Sequence, residues 1–261
     1  MDRDAAEDAR QLVLFDLAPD PETAPLRRLA LSGRIVEYRF ERRRRRTIGL
    51  RVDATGLAVS APRRTPWREI EKFLRASERW ILAKLDEWAG AGKPARLYGT
   101  TGEVLPLFGR QVTLDVRAGR RSVTLQAPRL VIEHPDPQKL GSVRELLVRW
   151  LKARALDALA PRAAYYAARL RVPAPPVAIS NARTQWGVCM EDGRLRLSWR
   201  LVHLEPVLAD YVVAHEAAHL VELNHSKRFW HLLAALYPAW RVARERLELT
   251  GATLPIIRRT P

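Results

Sequence analysis

Cysteine is almost absent from this chain, which has one such residue, Cys189, among 261. A disulfide framework is therefore excluded, and a reducing compartment fits best. No apolar run reaches the roughly 18 residues that a membrane-spanning helix needs. The acidic N-terminus also lacks the basic and apolar regions of a secretory signal. We therefore expect a cytoplasmic protein with no membrane partner.

Acidic residues are scarce beside basic ones, with 29 Asp and Glu against 45 Lys and Arg, a net charge of +16. Residues 1–25 hold seven of those acidic residues and only two of the basic ones, so the rest of the chain carries +21. Such a surplus favours polyanions, because each phosphate contact releases counterions. Charge spread over solvated helix faces explains the surplus equally well.

The run of five arginines at 42–46 could follow a phosphate backbone, or it could protect an edge strand from pairing. Nucleic acid therefore stays an open partner.

The order of strand-like and helical patterns along the chain predicts an α+β protein. Its N-terminal half is β-rich and contains a long helix, and its C-terminal half is helical. We expect a flexible acidic tail at 1–25, a β-rich domain at 34–135 and a catalytic domain at 137–261. Alternating and apolar runs predict strands at 34–40, 47–52, 57–60, 104–108, 112–116, 123–126, 130–133, 177–180 and 195–199. Helical periodicity predicts helices from Pro66 to Gly90, at 142–170 with a break or bend at Pro161, and at 207–223, 226–236 and 240–249.

The most informative stretch holds three of the six histidines within eleven residues. His215 and His219 are four apart, so on a helix both imidazoles face one ion. Glu216 is rotated about 100° from His215, where its carboxylate can take a proton from water beside the metal. His225 follows after a helix stop and completes three nitrogen ligands. That set predicts an open catalytic zinc (Zn²⁺) site, because structural sites close the fourth position and usually use cysteine.

Several alternatives remain open at this stage. His215 and His219 could simply be satisfied helix histidines, and Glu222 could replace His225 as the third ligand. Asn224 is a plausible left-handed residue at the helix stop. It could also act as an oxyanion donor, as could Tyr237, if the fold brings either one to the metal. Cys189 is better interpreted as a small buried residue than as a nucleophile, and His231 as a helix-surface residue.

The acidic tail contains an apolar peptide, Gln11-Leu12-Val13-Leu14-Phe15. It resembles the short peptide that bacterial DNA-replication and repair proteins insert into a pocket of the sliding clamp. Gln11 would supply polar contacts, and Leu12, Leu14 and Phe15 would supply apolar anchors, at an entropic cost that keeps affinity modest. A chance match, or an apolar patch that packs back onto the folded body, is the alternative.

Three further elements carry a resemblance to a known family: Trp186-Gly187-Val188-Cys189, the strand element at 195–200, and Asn-His-Ser-x-x-Phe-Trp at 224–230. Together with the histidine helix they resemble the YgjP-like metallopeptidases, which are related to the SprT-like zinc peptidases, over residues 34–249. The resemblance implies a zincin-like minidomain with the three histidines as ligands and Glu216 as base. The chain departs from the family pattern at Gln185, Val188 and Ala217, none of which is a ligand.

These observations predict a zinc-dependent metallohydrolase, most simply a peptidase for protein or peptide substrates, with DNA-associated proteins as one candidate class. The same ligands would serve a hydrolase of another amide or ester. A third possibility is a DNA- or clamp-associated binding module with a structural or vestigial metal. Glu216 argues against that third reading, since a structural metal has no use for a carboxylate beside its ligands.

Overall fold

A computed structural model describes residues 25–45, 47–53, 56–89, 95–182 and 185–257. The chain divides between residues 94 and 95 into an N-terminal unit and a C-terminal unit. The N-terminal unit contains the described residues 25–89, and the C-terminal unit contains the described residues 95–257. The predicted acidic tail, with its peptide of Gln11, Leu12, Leu14 and Phe15, lies outside the described residues.

The N-terminal unit is a four-stranded sheet followed by two helices. Its elements are β1 (Leu26–Leu31), β2 (Arg34–Arg43), β3 (Gly49–Asp53), β4 (Gly56–Pro62), α1 (Trp67–Ala76) and α2 (Glu78–Ala89). The sheet order is β1-β2-β4-β3, with β2 and β4 parallel and the other pairs antiparallel. Alternate residues of β4 are buried, as expected for a sheet with one face on a core.

The single long helix predicted from Pro66 to Gly90 is wrong, because two helices meet at Ser77. The Ser77 backbone leaves the helical region, at φ −96° and ψ 7°, and its N–H bonds back to the carbonyls of Phe73 and Leu74. Serine is a weak helix former that favours such ends.

The basic run at 42–46 is partly engaged inside the N-terminal unit. Arg42 donates from Nη1 to the carbonyls of Pro62, Arg63 and Thr65, at 2.9, 3.1 and 2.6 Å. Arg45 donates to the Ser60 hydroxyl, and Arg46 lies outside the described residues. At least two of the five arginines therefore brace the loop and strand beside them.

The C-terminal unit begins with a second four-stranded sheet and a long helix. Its first elements are β5 (Arg96–Leu97), β6 (Val104–Leu107), β7 (Arg110–Ala118), β8 (Ser122–Gln126), β9 (Arg129–His134) and α3 (Leu140–Leu170). The sheet order is β6-β7-β9-β8, with β7 and β9 parallel. Leu105, Leu114, Leu130 and Ile132 form its buried face.

Helix α3 runs for 31 residues through Pro161 without interruption, so of the break or bend predicted there the break is wrong. A proline removes one backbone hydrogen bond within a helix. The buried stripe of α3 continues on both sides of it, through Leu151, Ala155, Leu159 and Ala163. Tertiary packing of that stripe therefore outweighs the local loss.

The remaining elements of the C-terminal unit build the region around the histidines. They are β10 (Val177–Ser180), β11 (Gly187–Cys189), β12 (Leu195–Ser198), a 3₁₀-helix (Trp199–His203), α4 (Pro206–Ala218), α5 (Lys227–Leu236), α6 (Trp240–Ala252) and β13 (Ile256–Ile257). The sheet order is β10-β12-β11, and β13 pairs with β5. Helix α4 ends at Ala218, five residues before the predicted end.

The described residues form six α-helices and four separate sheets, a mixture compatible with the predicted α+β class. Among these helices we find none with the length and apolar character that a bilayer crossing requires.

Candidate metal centre

Helix α4 carries the candidate site and is buried on nearly all sides. Pro206 occupies its first turn, where a missing N–H costs no helical bond. Every residue from Tyr211 to Ala218 is buried, so the helix has no polar face and its few polar side chains lie inside the fold. His215 is 1 % exposed, Glu216 3 % and His219, which caps the helix, 8 %.

The three predicted histidines come together in the structure. The Nε2 atoms of His215 and His225 are 3.0 Å apart, and one ring nitrogen from each of the three lies within 4.8 Å of the others. Tetrahedral zinc, with bonds near 2.0–2.1 Å, places neighbouring ligand nitrogens about 3.3 Å apart. The observed cluster therefore fits a metal ion held by three histidines.

Burial keeps two of these imidazoles in the form that binds a metal. It holds the pKa of His215 well below its ordinary value, and the neighbouring His219 and His225 lower that pKa further. Burial also lowers the pKa of His219, although a hydrogen bond to Glu222 opposes it. Both rings are therefore neutral at neutral pH, as metal ligation requires.

A hydrogen bond fixes which nitrogen His219 offers. Its Nδ1 donates to the backbone carbonyl of Glu222 at 2.9 Å, which leaves Nε2 for a metal. The corresponding Nδ1 of His215 is buried and has no hydrogen-bond partner among the described residues. The hydroxyl of Tyr211, one turn earlier on α4, is also buried and has no hydrogen-bond partner in the described part of the chain.

The connection between α4 and α5 brings His225 back to the helix without a left-handed residue at Asn224. Among the described non-glycine residues only Ser32, Phe108 and Arg171 have positive φ, so the expectation for Asn224 is wrong. The turn instead uses backbone bonds, including Ser226 N–H to the Asn224 carbonyl at 2.7 Å. Glu222, the alternative third ligand, directs its carboxylate to Arg228 at 3.2 Å.

The Glu216 side chain packs against strand β11. Burial raises the pKa of Glu216 to about 8, and a hydrogen bond from the Cys189 backbone N–H opposes that rise. Gly187 makes this position possible: a Cβ there would lie 2.5 Å from Glu216 Cγ and 2.8 Å from Cδ. Gly187 is thus a site residue that spacing alone did not identify, although the Trp-Gly motif was its signal.

The other candidate side chains from the sequence are engaged elsewhere, unreactive or exposed. The hydroxyl of Tyr237 donates to the Val207 carbonyl at 2.8 Å, so it is engaged in holding α4. Burial raises the pKa of the Cys189 thiol to about 11, with help from Glu216 and Asp192, so this thiol is protonated at neutral pH. A protonated thiol is a poor nucleophile. His231 is exposed on α5.

Three clustered histidines and a buried carboxylate on the same helix are the kind of site that metal-dependent hydrolases use. A family comparison narrows the class: residues 46–250 match the model of the YgjP-like metallopeptidase domain. That match spans most of the chain, which therefore belongs to the YgjP-like metallopeptidase family, as the sequence motifs predicted. No curated protein and no solved structure gives a significant match.

Proposed function

We propose that this chain is a zinc-dependent, zincin-like peptidase in which His215, His219 and His225 hold the metal and Glu216 is the general base. The observation that carries the proposal is the convergence of three histidine nitrogens within 4.8 Å, on and just after the helix that also bears the buried Glu216. Family membership supports the same chemistry.

Zinc in such a site supplies Lewis acidity, which polarises a scissile carbonyl and lowers the pKa of water toward about 7. Glu216 accepts the proton of the attacking water and passes it to the leaving amine. Burial raises the pKa of Glu216 from its ordinary value towards neutral pH, the range that suits a group that must both take and give a proton. A cation nearby would favour its charged form.

A peptide is the substrate best supported by the surroundings of Glu216. Strand β11 pairs with β12 and forms an edge of its described sheet. Edge strands bind extended peptides through main-chain hydrogen bonds. Because Gly187 and Cys189 of β11 both touch Glu216, a peptide paired with this edge would pass beside the base.

Replacing Glu216 tests the proposal. We expect Glu216→Gln to keep its zinc and to lose turnover of an unfolded protein substrate by about 10²- to 10⁴-fold, because it cannot accept a proton. Glu222→Gln is the matched control, because the Glu222 carboxylate pairs with Arg228 and the substitution keeps the backbone carbonyl that bonds to His219. Cleavage is measured as the appearance of new N-termini, first with DNA-bound proteins and then with unfolded proteins.

Wild-type turnover in Glu216→Gln would contradict the assignment of the base. If the wild-type enzyme hydrolyses only non-peptide amides or esters, the hypothesis of a metal-dependent hydrolase other than a peptidase would be favoured instead.

A further inference from the structure

His225 differs from the other two histidines in what holds its backbone. His215 lies within α4, and His219 caps that helix and donates to the Glu222 carbonyl at 2.9 Å. His225 lies in the irregular connection between α4 and α5 and is half-buried. Helix geometry therefore does not set the orientation of its ring, which depends on the groups around it.

Two aromatic rings of α5 pack against His225. The Trp230 ring stacks on it with centroids 5.5 Å apart and planes inclined by 26°, and the Phe229 ring meets it edge-on at 4.7 Å. The start of α5 places both rings there. Ser226 caps the helix by accepting from the Phe229 N–H at 3.3 Å, and its carbonyl accepts from the Trp230 N–H at 3.2 Å.

Neighbouring side chains of α6 pack against Trp230. Its ring stacks on Trp240, at the beginning of α6, with centroids 4.6 Å apart and planes inclined by 25°. It also meets the rings of Phe229 and His215, at 5.2 and 6.3 Å. The Arg244 guanidinium lies 5.6 Å from the Trp230 ring centroid, within the range of a cation–π contact. His225, Trp230 and Trp240 thus form a continuous stack that runs from the histidine cluster into α6.

We propose that Trp230, backed by Trp240, is a positioning residue that holds the His225 imidazole in its metal-binding orientation. This role rests on the proposed function, since it presupposes that His225 is a ligand. The backbone of His225 is not helical, so the stacked indole is what restricts rotation of the imidazole. This restriction lowers the conformational entropy that the ring loses when it binds the metal. Groups that orient a metal ligand typically change metal affinity by about 10- to 100-fold when removed.

A double-mutant cycle with zinc alone separates positioning from general loss of structure. Zinc affinity is measured by chelator competition for wild type, Trp230→Ala, His225→Ala and the double variant. We expect Trp230→Ala to weaken binding about 10- to 100-fold in the presence of His225. In the His225→Ala background the same change should have little further effect, because no third imidazole remains to be oriented.

Cobalt substitution adds a spectroscopic readout. Cobalt-loaded Trp230→Ala should shift its visible absorption towards that of His225→Ala, while Trp230→Phe, which can still stack, should restore most of the wild-type spectrum. Trp150→Ala is the matched control, because Trp150 on α3 contacts Arg154 and none of the three histidines. Urea unfolding of the metal-free variants checks that each one folds.

Two results would overturn the proposal. One is wild-type zinc affinity in folded Trp230→Ala. The other is an equal loss in both backgrounds, which would mean that the tryptophan supports the fold rather than the ligand. If His225→Ala itself binds zinc as tightly as wild type, the proposed ligand set fails, and the role of Trp230 fails with it.

Discussion

At the scale of single residues, Glu216 lies against a residue that has no side chain. Its Cγ, Cδ and Oε1 would all come within 3.0 Å of a Cβ built on Gly187. Glu216 is buried and cannot swing into solvent to escape such a contact. Gly187 therefore sets where the proposed base points.

We expect Gly187→Ala to keep its zinc but to lose about 10²-fold in turnover, because a displacement of about 1 Å can cost a positioned catalytic group that much. Zinc content and peptide cleavage are measured on the same preparation. Gly141→Ala is the control, since a Cβ there meets nothing closer than Arg144 at 3.9 Å. Full turnover in Gly187→Ala would show that Glu216 tolerates displacement and would weaken its assignment as base.

The sequence could predict that His215 and His219 lie close together because their spacing is local and a helix converts it directly into a shared face. The neighbourhood of Glu216 was out of reach. Its contact with Gly187 joins residues 29 positions apart and depends on how β11 packs against α4. The same limit applies to Tyr237, whose hydroxyl bonds to the Val207 carbonyl rather than facing the cluster.

At the scale of elements, helix α4 is tied to α3 by a charged cluster one turn before the histidines. Arg162 donates from Nε and Nη2 to the two carboxylate oxygens of Asp210, both at 2.5 Å. Tyr166 donates its hydroxyl to the same carboxylate at 2.8 Å. Asp210 immediately precedes Tyr211 on α4, so this cluster fixes the rotation of the helix that presents His215.

Asp210→Asn should lower the free energy of unfolding by about 1 to 2 kcal/mol. Hydrogen bonds to charged groups contribute about 1.5 to 3 kcal/mol, and solvent reduces that because the Arg162 side chain is 44 % exposed. Asp157→Asn, which breaks the exposed pair with Arg154, should change stability by less than about 0.5 kcal/mol. Urea unfolding of the metal-free proteins measures both, and equal effects would mean that the Asp210 cluster anchors nothing.

The elements that the sequence predicted are those with a sustained period, such as β7, β9 and α3. It missed β1 and the short strands β5, β11 and β13. A strand of two or three residues is too short to show alternation, so β11 could be found only through its pairing with β12. Two predictions about helices failed in opposite directions. Packing carries α3 through Pro161, where the sequence predicted a break or bend, whereas α1 ends before Ser77, where the sequence predicted a continuous helix.

At the scale of the whole molecule, every residue of the candidate site that the structure describes lies in the C-terminal unit. The family match begins at residue 46 and so extends into the N-terminal unit as well. Nucleic-acid binding and the clamp peptide stay predictions from the sequence. The bonds of Arg42 and Arg45 reduce what the basic run offers to a phosphate backbone, while the net charge of +16 still favours polyanions.

We propose that this chain holds one catalytic metal through three histidines, and its zinc content tests this most directly. The full-length protein is purified without a metal-affinity step, and its zinc is measured beside that of His219→Ala. We predict about one zinc per wild-type chain and none in the variant, because His219 supplies one of only three protein ligands. Absence of zinc from the wild type after reconstitution, or equal zinc in both proteins, would contradict the account.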